Sequence, residues 1–219
     1  ILTGSDNNFG TIANNAIIYK TDTGASLNTS GTGTLYNNLN TLVWTACDET
    51  SDWNTAENWS LDVEPDATYN VVISNLVAGT IFPSITSSEH TAKSVLLKIG
   101  SSLEIESTGV LTVNNSNLHG VHILGTFTND GTLNIDNSAL DGLRNISVDA
   151  SNAGEINISN SGDDGFLNAE EGEFVNYGTI NIDGSQGESG IDNKGDFLID
   201  GDIYINTSNS PTDGSVTNN

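Results

Sequence analysis

Carboxylates are the most abundant reactive groups in this chain: 29 Asp and Glu stand against five Lys and Arg, for a formal net charge of −24. Several fall in short runs: Asp163 with Asp164, Glu170 and Glu171 with Glu173, Asp62 with Glu64 and Asp66, and Asp48 with Glu49 and Asp52. Calcium takes about six to eight oxygens from carboxylates and carbonyls, which loops between strands supply readily. Asp163, Asp164, Glu170 and Glu171 are therefore the candidate Ca2+ ligands. Neither an EF-hand loop nor a G-G-x-G-x-D nonapeptide is present, so the competing reading is a solvated acidic surface. Nothing in the sequence requires a cofactor.

The second chemical group is aromatic. All three tryptophans, Trp44, Trp53 and Trp59, fall within 16 residues. Indoles stack on pyranose faces, which makes Trp53 and Trp59 the candidate carbohydrate-binding residues. The favoured alternative is a plug, because Trp is a large apolar group and a repeat array needs a cap.

Catalysis finds less support. A glycosidase needs two carboxylates roughly 5–9 Å apart in a groove, and no aromatic-lined pair accompanies the acids of the repeats. A lyase acting on uronates needs cations and a base, whereas Lys20, Lys93, Lys98, Arg144 and Lys194 are scattered. Of the three histidines, His119 and His122 flank Gly120, where an exposed turn is expected. The chain reads as a non-enzyme. Its charge argues against nucleic acid and anionic membranes. A single cysteine, Cys47, forbids an intrachain disulfide. No apolar run is long enough to span a bilayer as a helix, so no membrane insertion is expected.

The elements that must carry these groups announce themselves by repetition. Gly109, Gly131, Gly154, Gly178 and Gly201 open the phrases GVLTVNNS, GTLNIDNS, GEINISNS, GTINIDGS and GDIYINTS, at spacings of 22, 23, 24 and 23. Each phrase ends on serine: Ser116, Ser138, Ser161, Ser185 and Ser208. Within them two aliphatics alternate with polar residues: Leu111 and Val113, Leu133 and Ile135, Ile156 and Ile158, Ile180 and Ile182, Ile203 and Ile205. Alternation marks a strand with one buried face, and a fixed period marks one unit stacked on copies of itself. The fold expected is all-β: a parallel, right-handed β-helix of about 23 residues per coil with a Trp-rich capping segment.

Stacking coils about 4.8 Å apart turns the pairs into two interior columns. A third column is read four residues before each glycine, at Ile105, Phe127, Ala150, Phe174 and Phe197. Asn129, Asn152 and Asn176 stack as an amide ladder that ends at Ile199. Acids in the outward columns Val110, Thr132, Glu155, Thr179, Asp202 and Asn114, Asp136, Ser159, Asp183, Asn206 never fall on adjacent coils, as like-charge repulsion favours. Gly120, Gly142, Gly165, Gly190 and Gly214 suit bends with positive φ or close backbone approach. The outward position between the aliphatics reads Thr112, Asn134, Asn157, Asn181, Tyr204, so the regular T-x-T array of an ice-binding face is missing. If all of the chain stacked, about nine coils would result.

Residues 1–43 read as irregular coil-like text, 44–93 as the Trp-rich cap or insertion, and 94–219 as regular coils. Both ends fall inside repeat-like text, so the chain reads as a segment of something longer or a subunit that stacks end to end.

The residues Trp44, Ser51, Asp52, Trp53, Asn58, Trp59, Pro65, Asn70, Val71 and Ile73 form a Trp, S-x-D-W, N-W, Pro, N-V-x-I succession ahead of the coils. This is similar to a segment of secreted and cell-surface β-helix (adhesin-like) proteins of Bacteroidota, and the resemblance covers about residues 44–208. It implies an extracellular or cell-surface location and a non-catalytic structural or adhesive role. The implied partners are neighbouring modules or identical subunits end to end, and surface glycans. The C-terminal sorting domain of a full-length member is lacking here.

Overall fold

The computed structural model describes residues 40–75, 81–187 and 189–206, with the short strands Ile18–Tyr19, Leu35–Tyr36 and Val216–Asn218. Residues 1–39, apart from those two strands, lie outside the described residues, as do Ser208 and Gly214.

The described chain is a parallel β-solenoid of about six coils and about 23 residues per coil. Three sheets run along it. One has eight strands: Thr41–Val43, Asn70–Ile73, Ser94–Leu97, Val121–Ile123, Leu143–Asn145, Phe166–Asn168, Ile191–Asn193 and Val216–Asn218. A six-stranded sheet, here the phenylalanine sheet, contains Ser84–Ile85, Ser102–Ile105, Thr126–Asn129, Ala150–Asn152, Glu173–Asn176 and Asp196–Ile199. The other, the glycine-led sheet, contains Ser88–Ala92, Gly109–Asn114, Thr132–Asp136, Glu155–Ser159, Thr179–Asp183 and Asp202–Asn206. Fewer than nine coils are described because residues 44–69 form the plug and the two described strands before residue 40, Ile18–Tyr19 and Leu35–Tyr36, pair with each other rather than with these sheets.

The aliphatic pairs stack in register as the alternation predicts: Leu111, Leu133, Ile156, Ile180 and Ile203 align, and so do Val113, Ile135, Ile158, Ile182 and Ile205. All are at most 2 % exposed except Ile203 and Ile205, half-buried on the last described rung. The third column needs one correction. Leu103, not Ile105, aligns with Phe127, and Ile105 aligns with Asn129. The turn between Ile105 and Gly109 is two residues longer than its later counterparts, so counting back from the glycine slips the register. The remaining members, Phe127, Ala150, Phe174 and Phe197, align as expected.

Glycine at the head of each phrase is set by close approach. A Cβ on Gly154 would sit 2.1 Å from the carbonyl oxygen of Gly131, and one on Gly178 2.1 Å from that of Gly154. The second glycine set also serves close approach: a Cβ on Gly142 would meet Ile158 Cγ2 at 2.3 Å. Positive φ is needed elsewhere, on the column Asn115 (63°), Asn137 (61°), Asn160 (52°) and Gly184 (71°). Asn tolerates this left-handed conformation better than other side chains, which explains its recurrence after each phrase's last outward residue.

Two amide ladders run inside the solenoid. In the expected one, Asn129 Nδ2 donates to Asn152 Oδ1 at 2.6 Å, and Asn152 Nδ2 to Asn176 Oδ1 at 2.7 Å. In the second, Asn145 donates to Asn168 and Asn168 to Asn193, each at 2.8 Å. All six are at most 5 % exposed. A buried amide is tolerable only when hydrogen-bonded, and its neighbour in the next coil supplies the bond.

The stacked strands begin earlier than residue 94. Asn70–Ile73, Ser84–Ile85 and Ser88–Ala92 make a complete coil paired to the next, so the cap proper ends near residue 69.

Candidate functional site

The tryptophans take the structural role. Trp53 is 1 % exposed, and Trp44 and Trp59 are fully buried. Trp59 meets Trp44 edge-on at 5.0 Å and Trp53 at 4.8 Å. Its Nε1 donates to Trp53 O at 2.7 Å, and Trp44 Nε1 donates to Ile81 O at 2.7 Å. Buried Asn58 holds the loop, accepting the Asp48 N–H at 3.0 Å and donating to Thr50 Oγ1 at 2.9 Å. All three rings join the same cluster as Val71, Ile73, Ile85 and Leu97. The sugar-platform expectation for Trp53 and Trp59 is therefore overturned, since neither ring offers a face to a ligand. The plug also caps an interior column: His90 aligns with Leu111, is 8 % exposed, and lies 3.0 Å from Glu64 Oε1 and 3.2 Å from Ser87 O.

Titratable groups gather instead at the corner leading into the eight-stranded sheet. The residue before each second glycine stacks along the axis, giving a column His119, Asp141, Asp164, Ser189. Beside it the outward residues of the sheet give His122, Arg144, Leu167 and Asp192. Backbone bonds lock the corner: Gly120 N–H donates to Asp141 O at 3.1 Å, and Gly142 N–H to Asp164 O at 3.0 Å.

Asp141 is 2 % exposed, with its Oδ2 3.1 Å from His119 Nδ1 and 3.7 Å from Arg144 Nη1. Asp164, 8 % exposed, accepts the Ser189 N–H through Oδ1 at 3.0 Å. Lys194 Nζ reaches Asp192 Oδ2 at 2.7 Å. Burial pushes the Asp164 carboxyl up to about 6, aided by the charges of Asp163, Asp141 and Asp192 and opposed by the Ser189 bond. Burial, with His119 and Arg144 nearby, pushes His122 down to about 4. Like charges and desolvation thus oppose ionisation of both groups.

Carboxylate oxygens of Asp141, Asp163 and Asp164 lie within 4.8 Å of one another. Three converging carboxylates could hold a hard divalent cation, with backbone carbonyls completing its shell. Of the four candidate Ca2+ ligands read from sequence, Asp163 and Asp164 belong to this group. Glu170 and Glu171 do not: they line a separate groove with Arg144, Leu167 and Lys194. They lie in the turn that leaves the eight-stranded sheet, whereas Asp163 and Asp164 lie in the turn that enters it. Asp141 was missed because its partners are one coil away in space and 22 or 23 residues away in sequence. His119 and His122 are also corrected: both are only partly exposed, and their rings meet edge-on at 5.2 Å.

No protein-family model, no curated protein and no solved structure matches this chain.

Proposed function

We propose that this chain is a non-catalytic structural or adhesive module of an extracellular or cell-surface protein or filament. It acts as a rigid acidic rod that spaces or displays neighbouring regions. The observation that carries this reading is the investment of its interior in axial continuity. Three in-register sheets and two buried amide ladders run through successive coils, and a tryptophan plug closes one end. Such an array gains stability from each interface between neighbouring coils, so it resists extension and bending without a globular core. The last described rung is less enclosed: its inward-facing Phe197, Ile203 and Ile205 are only half-buried, and Ile199, aligned with buried Asn176, is 46 % exposed. End-to-end contact with a neighbouring module or an identical subunit would cover it. The resemblance of residues 44–208 to Bacteroidota surface proteins supports the same role and location.

Electron microscopy of the native material tests this. Rods or filaments with a width of one solenoid are expected, and particles that stay monomeric and isolated at high concentration count against end-to-end assembly. Ca2+ is the cation proposed for Asp141, Asp163 and Asp164. It should raise the melting temperature of chelator-treated protein, and Asp141→Asn should abolish that shift. No shift in the unsubstituted chain removes calcium from the reading.

A further inference from the structure

We propose that the outer face of the glycine-led sheet, around Tyr204, is a binding surface for a neutral polysaccharide chain. The face is built by stacking. Thr112, Asn134, Asn157, Asn181 and Tyr204 align on successive strands and point outward. Asn157 Nδ2 donates to Asn134 Oδ1 at 3.0 Å, and Asn181 Nδ2 to Asn157 Oδ1 at 2.8 Å. Each amide thus accepts from the coil above it. At Asn181 that succession stops, because Tyr204 stands where the next amide would.

Tyr204 is 59 % exposed and makes no ring contact with another aromatic among the described residues. Beside it lies an open depression of about 330 Å3 lined by Asn157, Ser159, Asn181, Asp183, Tyr204 and Asn206. An aromatic ring flanked by planar amides and a carboxylate matches the chemistry of a pyranose. The ring covers the apolar C–H face, while amide and carboxylate groups exchange hydrogen bonds with the rim hydroxyls.

Charge selects the class of glycan. The strands Gly109–Asn114, Thr132–Asp136, Glu155–Ser159, Thr179–Asp183 and Asp202–Asn206 contain no Lys, Arg or His. They carry Asp136, Glu155, Asp183 and Asp202 facing outward. A uronate, sulfate or phosphate would meet repulsion there, whereas a neutral polyol would not. The site is independent of the tryptophan plug, which lies at the other end of the described coils.

Affinity gel electrophoresis of the full 219-residue chain against soluble xylan, galactomannan and mixed-linkage β-glucan, with polygalacturonate as the anionic arm, tests the proposal. At least one neutral polysaccharide is expected to retard the protein and polygalacturonate is not. Tyr204→Ala should weaken that retardation about tenfold, while Tyr204→Phe, which keeps the ring, should stay within about threefold of the original. Asn181→Ala, one coil further from the end, should weaken it about threefold without altering the circular dichroism spectrum. Failure of every neutral polysaccharide to retard the chain, retardation by polygalacturonate alone, or equal migration of Tyr204→Ala and the parent overturns the proposal.

Discussion

Two asparagines of the same coil offer a controlled test of what holds the solenoid together. Asn152 and Asn157 each hydrogen-bond to asparagines of the coils on either side, Asn152 inside and Asn157 on the outer face. Only burial differs in kind: Asn152 is fully buried and Asn157 is partly exposed. In Asn152→Ala the Asn176 carbonyl oxygen loses its amide donor. Asn129 Nδ2 loses its 2.6 Å acceptor and keeps only the Glu155 carbonyl at 3.1 Å. One orphaned buried acceptor and one weakened donor, at about 1–3 kcal/mol per unsatisfied group, give a loss of about 2–4 kcal/mol. In Asn157→Ala water replaces the lost partner, and the loss is about 0.5 kcal/mol or less. Urea titrations followed by circular dichroism for the sheets and by tryptophan fluorescence for the plug measure both. With a slope of about 2–3 kcal/mol/M, Asn152→Ala should lower the midpoint by about 1 M and Asn157→Ala by less than about 0.3 M. Following two probes guards against stepwise loss of coils. Equal shifts in the two variants would refute the claim that burial, rather than ladder geometry, sets the value of these amides.

Gly154→Ala should cost about 2–3 kcal/mol, because its Cβ would sit 2.1 Å from a backbone oxygen that moves only with its coil. Gly184→Asn should stay within about 0.5 kcal/mol, since Asn already fills that left-handed column on three coils; the same titrations read both, and an unstable Gly184→Asn would contradict the column. Trp59→Ala should cost about 3–5 kcal/mol in a thermal melt and leave polysaccharide retardation unchanged. Changed retardation with an unchanged melt would revive the tryptophans as a binding site. The pH dependence has two opposing parts. Asp164 is raised to about 6 from 3.8, so its protonated form favours the folded state at low pH, and that stability is lost as pH rises through about 6. His122 is lowered to about 4 from 6.5, so its contribution is present above about 6.5 and is lost as pH falls through about 4. Asp164→Asn should therefore give a chain whose stability rises from about pH 4 to 6.5. His122→Gln should give one whose stability falls over about pH 4 to 6, by about 3 kcal/mol at about 1.4 kcal/mol per unit. Melting curves that keep the parent's pH profile in both variants would contradict the electrostatics of this corner.

The parts of the fold that could be read in advance are those where one residue type recurs. Paired aliphatics, leading glycines and the serines after them recur because each coil presents the same environment to that position. The ladder of Asn145, Asn168 and Asn193 is equally regular, three residues after Gly142, Gly165 and Gly190, but one recurring residue is a weaker signal than the eight-residue glycine-led phrase. The misplaced Ile105 shows the limit of counting: a turn two residues longer shifts every assignment made across it.

The corner column His119, Asp141, Asp164, Ser189 was illegible for a different reason. Its members share a position but not a chemistry, so repetition, the only long-range signal in a single chain, is silent about them. Local alternation and period suffice to dictate a parallel stack, since every coil must hide the same two aliphatics against the next. Which side chains meet across coils depends on turn lengths and on burial, and these exist only once the coils are closed. That is why the tryptophans, conspicuous in the primary structure, became a dry plug. Asp164 gained its perturbed proton affinity only when stacking buried it at one corner beside Asp141 and Asp163.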